Sequence, residues 1–184
     1  MNLIAKKKQI RTDIKNLKNN FSSGILAMKS IKVISLLKSQ EIFKKSQNIL
    51  LYFSMADEVK THDLLEDIYE NKNIFLPSIN GELLVIKKYL GQDNLVKVGK
   101  YQIEEPSNPI IINPNLIDLV IVPGVAFDKN RNRLGRGKGY YDKLLKNSKC
   151  YKMGICFDFQ LIDEIPTDQH DIKMDMIISE SQVI

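Results

Sequence analysis

An α/β fold on a largely parallel sheet is what this sequence predicts, and three observations carry that expectation. Short apolar runs of strand length alternate along the chain with stretches whose apolar residues recur at helical spacing. The run 117–123, with Leu119, Val120, Ile121 and Val122 in succession, is apolar without alternation, the pattern of a strand covered on both faces. The 184 residues are 43% hydrophobic, enough for one domain with a real core, and no repeat, low-complexity tract or linker divides 1–184.

The chain opens on an amphipathic helix, in which Leu3, Ile10, Ile14, Leu17 and Phe21 recur at helical spacing and lysines take much of the remaining surface. Lys7, Arg11 and Lys18 share one face of it, which could close over a ligand, whereas Lys6 and Lys8 read as solvated. Ser22 or Ser23 caps a second helix whose apolar positions are Ile25, Met28, Ile31, Ile34 and Leu37. The run 48–53 reads as a short buried strand. Thr61 then opens a helix over 61–71 in which Leu64, Leu65 and Ile68 form one face, with acids near its start to suit the helix dipole. Strands are expected at 74–78 and 83–89, joined by a tight turn at Asn80-Gly81. Pro106, Pro109 and Pro114 mark 91–116 as irregular. After the strand 117–123 come a helix over 138–147, a strand over 151–158 and a last strand over 174–179.

The net charge of +5 is unevenly spread. Residues 1–48 hold eleven Lys or Arg and two acids, Asp13 and Glu41, whereas the rest of the chain carries a balance of −4. A basic N-terminus raises nucleic-acid binding as a function class, but such surfaces interleave aromatic residues with the cations. Here 1–48 hold only Phe21 and Phe43, both at apolar-face positions, so no nucleic-acid partner is expected. No run approaches 18 consecutive apolar residues, and the first twenty residues lack the apolar block of a secretory signal. Cys150 and Cys156 fall on one face of a strand-like run, too far apart for a disulfide, and read as buried thiols of a cytoplasmic protein. A monomer acting on small molecules, without a membrane partner, is the expectation.

The chemistry is concentrated in 122–142. Three of nine glycines, Gly135, Gly137 and Gly139, alternate within five residues just before a helix, interleaved with Arg133, Arg136 and Lys138. Glycines let backbone N–H groups approach an anion closely, and the helix start adds partial positive charge, so the string suits a polyphosphate. Lysine outnumbers arginine 23 to 4, yet Arg131, Arg133 and Arg136 fall within six residues, a clustering suited to bidentate phosphate or carboxylate recognition. The string is neither GxxxxGK[ST], because Gly139 follows Lys138, nor a dinucleotide GxGxxG turn. A glycine-rich β–α turn with incidental charge is the alternative. Asp142, one helical turn past Gly139, can reach a metal held against bound phosphates. Downstream, His170, Asp171 and Asp175 form HD-x3-D; with His62 as the only other histidine, a metal-hydrolase ligand set is too sparse. Asp175 is therefore read as a Mg²⁺ carboxylate opposite Asp142, and His170 as structural or phosphate-facing.

Lys7-x-x-x-Arg11, Tyr52-Phe53-Ser54-Met55-x-Asp57-Glu58, the string RLGRGKGYYD over 133–142, Gly154-x-x-Phe157-x-x-Gln160 and His170-Asp171-x-x-x-Asp175 are spread over nearly the whole chain. Together they resemble the 5-formyltetrahydrofolate cyclo-ligase family. The resemblance implies a three-layer sandwich of the ribose-5-phosphate isomerase and CoA-transferase type. It also implies ATP- and Mg²⁺-dependent cyclisation of 5-formyltetrahydrofolate to 5,10-methenyltetrahydrofolate, with release of ADP and phosphate. By matching position, ATP would meet Lys7, Arg11, Arg133, Leu134, Gly135, Arg136, Gly137, Lys138, Gly139, Tyr140 and Tyr141. The folate would meet Phe53, Glu58, Arg136, Gly137, Lys138, Gly139 and Tyr140. Asp142 and Asp175 would hold Mg²⁺, while Arg136, Lys138 and Tyr140 would act on the reacting groups. Two positions depart from the family. Arg131 stands where glycine is usual, leaving Asn130 or Asn132 to supply the left-handed turn and Arg131 as an exposed turn residue. Gln102 replaces the second glycine of a G-x-[YF]-G-I-x-E-P pattern. A sugar-phosphate isomerase on the same fold, using the glycine loop for a monophosphate, is the competing reading; it needs neither ATP nor two metal carboxylates.

Overall fold

Asn2 starts the first helix of the computed structural model, which describes residues 2–99 and 103–184; its side chain accepts from the Ala5 N–H. Helix α1 (Leu3–Lys18) buries only Ile14 outright, and α2 (Ser23–Ser39), capped by Ser22, runs into the short α3 (Glu41–Lys45). Next come β1 (Asn48–Leu50), α4 (His62–Ile68) and the hairpin of β2 (Asn73–Asn80) with β3 (Leu83–Lys88). A second hairpin, β4 (Leu95–Val98) with β5 (Ile103–Pro106), precedes β6 (Ile111–Ile112) and β7 (Leu119–Pro123). The chain continues through β8 (Ala126–Asp128), β9 (Arg133–Leu134), α5 (Tyr140–Leu145), β10 (Tyr151–Ile155), β11 (Leu161–Ile162) and β12 (Met176–Ile178).

The main sheet has seven strands in the order β12-β10-β7-β1-β2-β3-β6. From β12 to β2 the pairs are parallel, and β3 and β6 add antiparallel pairs at one edge. Successive residues go to opposite faces. Ile49, Leu51, Leu119, Ile121, Met153 and Ile155 meet Leu26, Val33, Leu37, Phe43, Leu64 and Leu65 of α2, α3 and α4. Leu50, Val120, Val122 and Ile177 pack instead with Phe127, Leu145, Cys150 and Cys156, so both thiols are buried, free and on one face, as expected. On that second face a small sheet, β11-β8-β9, and α5 form the covering layer. The fold is thus the expected α/β arrangement with a mostly parallel sheet. No helix among the described residues is long and apolar enough to cross a membrane.

Several local expectations are corrected. Helix α2 buries Leu26, Ser30, Val33 and Leu37, while Ile25, Met28 and Ile31 are 44%, 67% and 69% exposed. It carries more apolar residues than one face can hold, and the sheet selects the face one position along. Thr61 precedes α4 without capping it, because its hydroxyl donates to the Tyr52 carbonyl at 2.6 Å. The hairpin loop is Gly81 and Glu82 rather than Asn80-Gly81, since Asn80 pairs with Leu83. The segment 91–116 is less irregular than its prolines suggest: the β4–β5 hairpin lies against β2, where the buried Glu105 carboxylate accepts from the Ser78 hydroxyl and the Ile79 N–H. Gln102 lies outside the described residues.

In the turn 128–132, Arg131 itself takes the left-handed conformation, with φ 63°, in place of Asn130 or Asn132. The buried Asp128 carboxylate occupies both asparagines: Oδ1 accepts from the Asn130 and Asn132 N–H groups and Oδ2 from Asn132 Nδ2. Arg131 is exposed, as expected, and its guanidinium donates to the Asp175 carbonyl at 2.9 Å. A Cβ in that region is strained, so Arg131→Gly is expected to raise the unfolding free energy by roughly 0.5–1 kcal/mol, after glycine's extra chain entropy is subtracted. Chemical denaturation reads this directly, and a fall in stability would show the turn to be unstrained.

Candidate active site

β9 delivers the chain to the loop 135–139, and α5 begins immediately after it. Gly137 and Gly139, at φ 100° and 65°, hold backbone conformations that residues with a Cβ adopt only under strain. Helix α1 lies against this loop because Ile10 and Ile14 pack on Ala126, Leu134 and Ile165. That packing turns the shared cationic face inward. Arg11 Nε donates to the Gly135 carbonyl at 2.8 Å, Lys7 reaches Asp171 and, at 3.3 Å, Asp168, and Lys18 meets Asp57 at 2.8 Å. Lys138 is exposed on the loop and has no hydrogen bond or ion pair among the described residues.

A second wall is the turn 53–58. It is pinned to the start of α4 by reciprocal bonds, Ser54 N–H to Thr61 Oγ1 at 3.2 Å and Thr61 N–H to Ser54 Oγ at 3.1 Å. The Tyr52 hydroxyl donates to the Val59 carbonyl at 3.1 Å, and Glu58 Oε2 accepts from the Met55 N–H at 3.0 Å. The turn presents Asp57 and Glu58 toward the loop. Arg136 Nη2 donates to Asp57 Oδ1 at 2.8 Å and to Glu58 Oε1 at 3.0 Å. Burial pushes the Asp57 carboxyl up, but Lys18 and Arg136 outweigh it and hold the group below its usual value. Burial likewise lowers Arg136, yet Glu58 and Asp57 prevail and raise it. The Tyr52 and Tyr141 hydroxyls are pushed up by burial first and by Glu58 second, so both stay protonated. The β2–β3 hairpin tip closes a third side, where Tyr140 Oη donates to the Gly81 carbonyl at 3.4 Å and Lys143 Nζ to the Glu82 carbonyl at 3.1 Å.

Not every expected ligand faces this cleft. Arg133 is only 7% exposed. Its Nη2 meets the two Asp142 oxygens at 3.1 and 3.2 Å, its Nη1 donates to the Pro123 carbonyl at 3.3 Å, and its guanidinium lies 5.5 Å from the Tyr141 ring centre. Leu134 is buried in the α1 contact. These two residues and Tyr141 therefore support the loop from beneath. Asp142 and Asp175 also do not face one another. Asp142 is committed to Arg133 and accepts from the Ile172 N–H at 3.3 Å. Asp175 lies at the amino ends of β10 and β12, where its Oδ2 accepts from Lys152 N–H at 2.8 Å and pairs with Lys152 Nζ at 3.0 Å. Among the described residues no three His, Cys, Asp or Glu gather in metal-holding geometry. His170 is exposed; its backbone N–H donates to Asp168 Oδ1 at 2.8 Å, and its ring Nε2 lies 3.4 Å from Gln169 Nε2.

Sequence reasoning missed the acids that hold the cations: Asp57, Asp168 and Asp171. Asp171 and Lys7 are 164 residues apart in the chain, and no local spacing signals such a pair. The remaining family string is scaffolding. A Cβ on Gly154 would stand 2.5 Å from the Phe127 ring, and Gln160 accepts from Phe157 N–H while donating to the Gly124 and Val125 carbonyls.

The model of the 5-formyltetrahydrofolate cyclo-ligase family matches residues 3–180. The probable 5-formyltetrahydrofolate cyclo-ligase of Schizosaccharomyces pombe is 32% identical, over 97% of this chain and 97% of its own length. The 5-formyltetrahydrofolate cyclo-ligase of Haemophilus influenzae is 31% identical, over 92% and 95%. Among solved structures, the NMR structure of Aquifex aeolicus 5,10-methenyltetrahydrofolate synthetase superposes with a TM-score of 0.86 at 37% identity, covering 96% of this chain and 91% of that one.

Two outcomes test this geometry. Asp142→Asn strands a buried guanidinium and is expected to lower the unfolding free energy by roughly 2–4 kcal/mol, whereas Asp175→Asn breaks a partly exposed pair and costs at most about 1 kcal/mol. Equal losses in denaturation experiments would refute that assignment. The depressed Asp57 carboxyl contributes stability that is fully present above the unfolded value of about 4 and is lost as pH falls through the lower folded value. Asp57→Asn is therefore expected to narrow the stability difference between about pH 6 and about pH 3, measured by urea titration at each pH.

Proposed function

The chain belongs to the 5-formyltetrahydrofolate cyclo-ligase family, and from that premise we propose that it closes 5-formyltetrahydrofolate to 5,10-methenyltetrahydrofolate, converting ATP to ADP and phosphate. One observation carries this reading beyond the family match. Three segments remote in sequence, α1, the turn 53–58 and the loop 135–139, converge: Arg11 bonds the Gly135 carbonyl, Lys18 meets Asp57, and Arg136 meets Asp57 and Glu58 in the turn headed by Phe53. That convergence suits a triphosphate beside an aromatic co-substrate.

An N-formyl group is amide-like, a weak electrophile with a poor leaving group. Direct attack by N10 must expel oxide or hydroxide. Transfer of the γ-phosphoryl group to the formyl oxygen makes that oxygen part of a phosphate ester; N10 then attacks the formyl carbon, the five-membered ring closes and phosphate departs. Such chemistry needs positioning and charge neutralisation rather than a protein nucleophile. In this reading the N–H groups of 135–139 cradle phosphate oxygens. Lys7, Arg11, Arg136 and Lys138 offset the charge on the transferring group. Arg136 exchanges Asp57 for phosphate while Glu58 turns with Phe53 to the folate, and the Tyr140 hydroxyl stands near the formyl oxygen. Among the described residues no three His, Cys, Asp or Glu gather to hold Mg²⁺; the metal would arrive with the nucleotide, and Asp142 is the carboxylate at the loop that would meet it, supplying charge neutralisation to the phosphates. A monomer in the cytoplasm is the accompanying expectation.

Mixing the protein with 5-formyltetrahydrofolate, Mg²⁺ and ATP and following methenyl absorbance tests the assignment; absence of product from folded protein overturns it. Arg136→Ala is expected to cut turnover by about 100-fold or more, and Lys138→Ala by about tenfold or more. Lys138 is exposed and unpaired among the described residues, so its loss is not expected to move the thermal midpoint, whereas Arg136→Ala gives up two partly exposed pairs and is expected to cost about 1 kcal/mol of stability.

A further inference from the structure

Phe53 belongs to no strand or helix: β1 ends at Leu50, and the half-buried ring stands at the head of the turn 53–58. One edge packs on the core. One face is stacked on His62, with ring centres 4.0 Å apart and planes inclined by 22°. His62 is the first residue of α4 and is solvent-exposed. Its Nε2 lies 3.0 Å from the Ser54 carbonyl oxygen, which can only accept, so Nε2 is the donor. The imidazole is thus held at its edge by the residue that follows Phe53 and laid flat against Phe53 itself. The reciprocal Ser54–Thr61 bonds fix the same two backbone segments, so positions 53–54 and 61–62 form one fastened unit.

We infer that His62 is a positioning residue for the folate subsite, a flat backing that holds the Phe53 ring in the orientation the substrate meets. A half-exposed phenylalanine without backing samples several rotamers, and a ligand that stacks on it must immobilise it. His62 supplies that order beforehand. The inference rests on the reading of Phe53 as a folate contact given above, and it requires two properties of residue 62: a planar ring to stack and, secondarily, a donor for Ser54.

Steady-state kinetics of the full chain, varying 5-formyltetrahydrofolate and ATP separately, test it with His62→Ala, His62→Phe, His62→Gln and Phe53→Ala. His62→Ala is expected to raise KM for 5-formyltetrahydrofolate about three- to tenfold, with KM for ATP and kcat within about twofold of the parent. His62→Phe keeps a ring and is expected to restore the folate KM to within about twofold; His62→Gln keeps a donor and is expected to behave like alanine. An unchanged folate KM in His62→Ala, an equal rise in both KM values, or rescue by glutamine but not phenylalanine each overturns the inference. Should the alanine variant fail to fold, the phenylalanine and glutamine variants decide by the same comparison. A raised folate KM in Phe53→Ala alone leaves the substrate reading standing and removes His62. No effect of Phe53→Ala removes the folate role of Phe53, and this inference with it.

Discussion

Arg133 and Asp142 bracket the loop 135–139, and their ion pair closes it. One partner begins β9 and the other sits in the first turn of α5, so the ten residues 133–142 are drawn into a short arc. The second guanidinium nitrogen bonds the Pro123 carbonyl, which ties the arc to the last residue of the central strand β7. Removing either partner leaves a buried charge uncompensated, the situation in which an ion pair matters most. Three contacts of the site hang from this closed arc: Arg11 on the Gly135 carbonyl, Arg136 on Asp57 and Glu58, and Tyr140 on the Gly81 carbonyl.

The basic character of the first 48 residues acquires its meaning here. Part of it is solvated surface, but Lys7, Arg11 and Lys18 point inward, and all except Lys138 among the cleft cations rest on an acid or a carbonyl. The Arg136–Asp57 pair is half exposed, and such pairs are weak. On the proposed reading, phosphate oxygens would offer the guanidinium stronger, bidentate bonds than a solvated carboxylate does, so Arg136 would pass from Asp57 to a phosphate without unfolding anything. The paired state keeps the cations oriented and offsets their mutual repulsion.

What was legible in the sequence was whatever a short window encodes. The parallel strands, the helix starts at Ser22 and Gly139, and the glycine-arginine loop follow from periodicity and local steric rules. The face chosen by α2 did not, because Ile25 and Met28 are as apolar as Leu26 and Val33 and only the sheet distinguishes them. The strands β8, β9 and β11 are two or three residues long, too short to show a period. The acids of the cleft were hidden for a different reason. Asp57 was visible within a family string, but its partners Lys18 and Arg136 come from α1 and the loop, and only the folded chain brings the three together.

Asp171 and Asp175 show how the fold separates residues that a short motif holds together. HD-x3-D spans six residues, and the fold pulls its acids apart: Asp171 joins Lys7 at the cleft, while Asp175 reaches the amino edge of the sheet and holds Lys152. The turn that separates them is itself pinned, since Ile172 N–H donates to Asp142 and Met174 N–H to the Arg131 carbonyl. The segment therefore ties three things together, α1 through Asp171, the loop bracket through Ile172 and the sheet edge through Asp175. A metal shared by Asp142 and Asp175 would have to break both the Arg133 bracket and the Lys152 contact. On the proposed reading, a metal carried in by phosphate and met by Asp142 alone would leave the Lys152 contact intact.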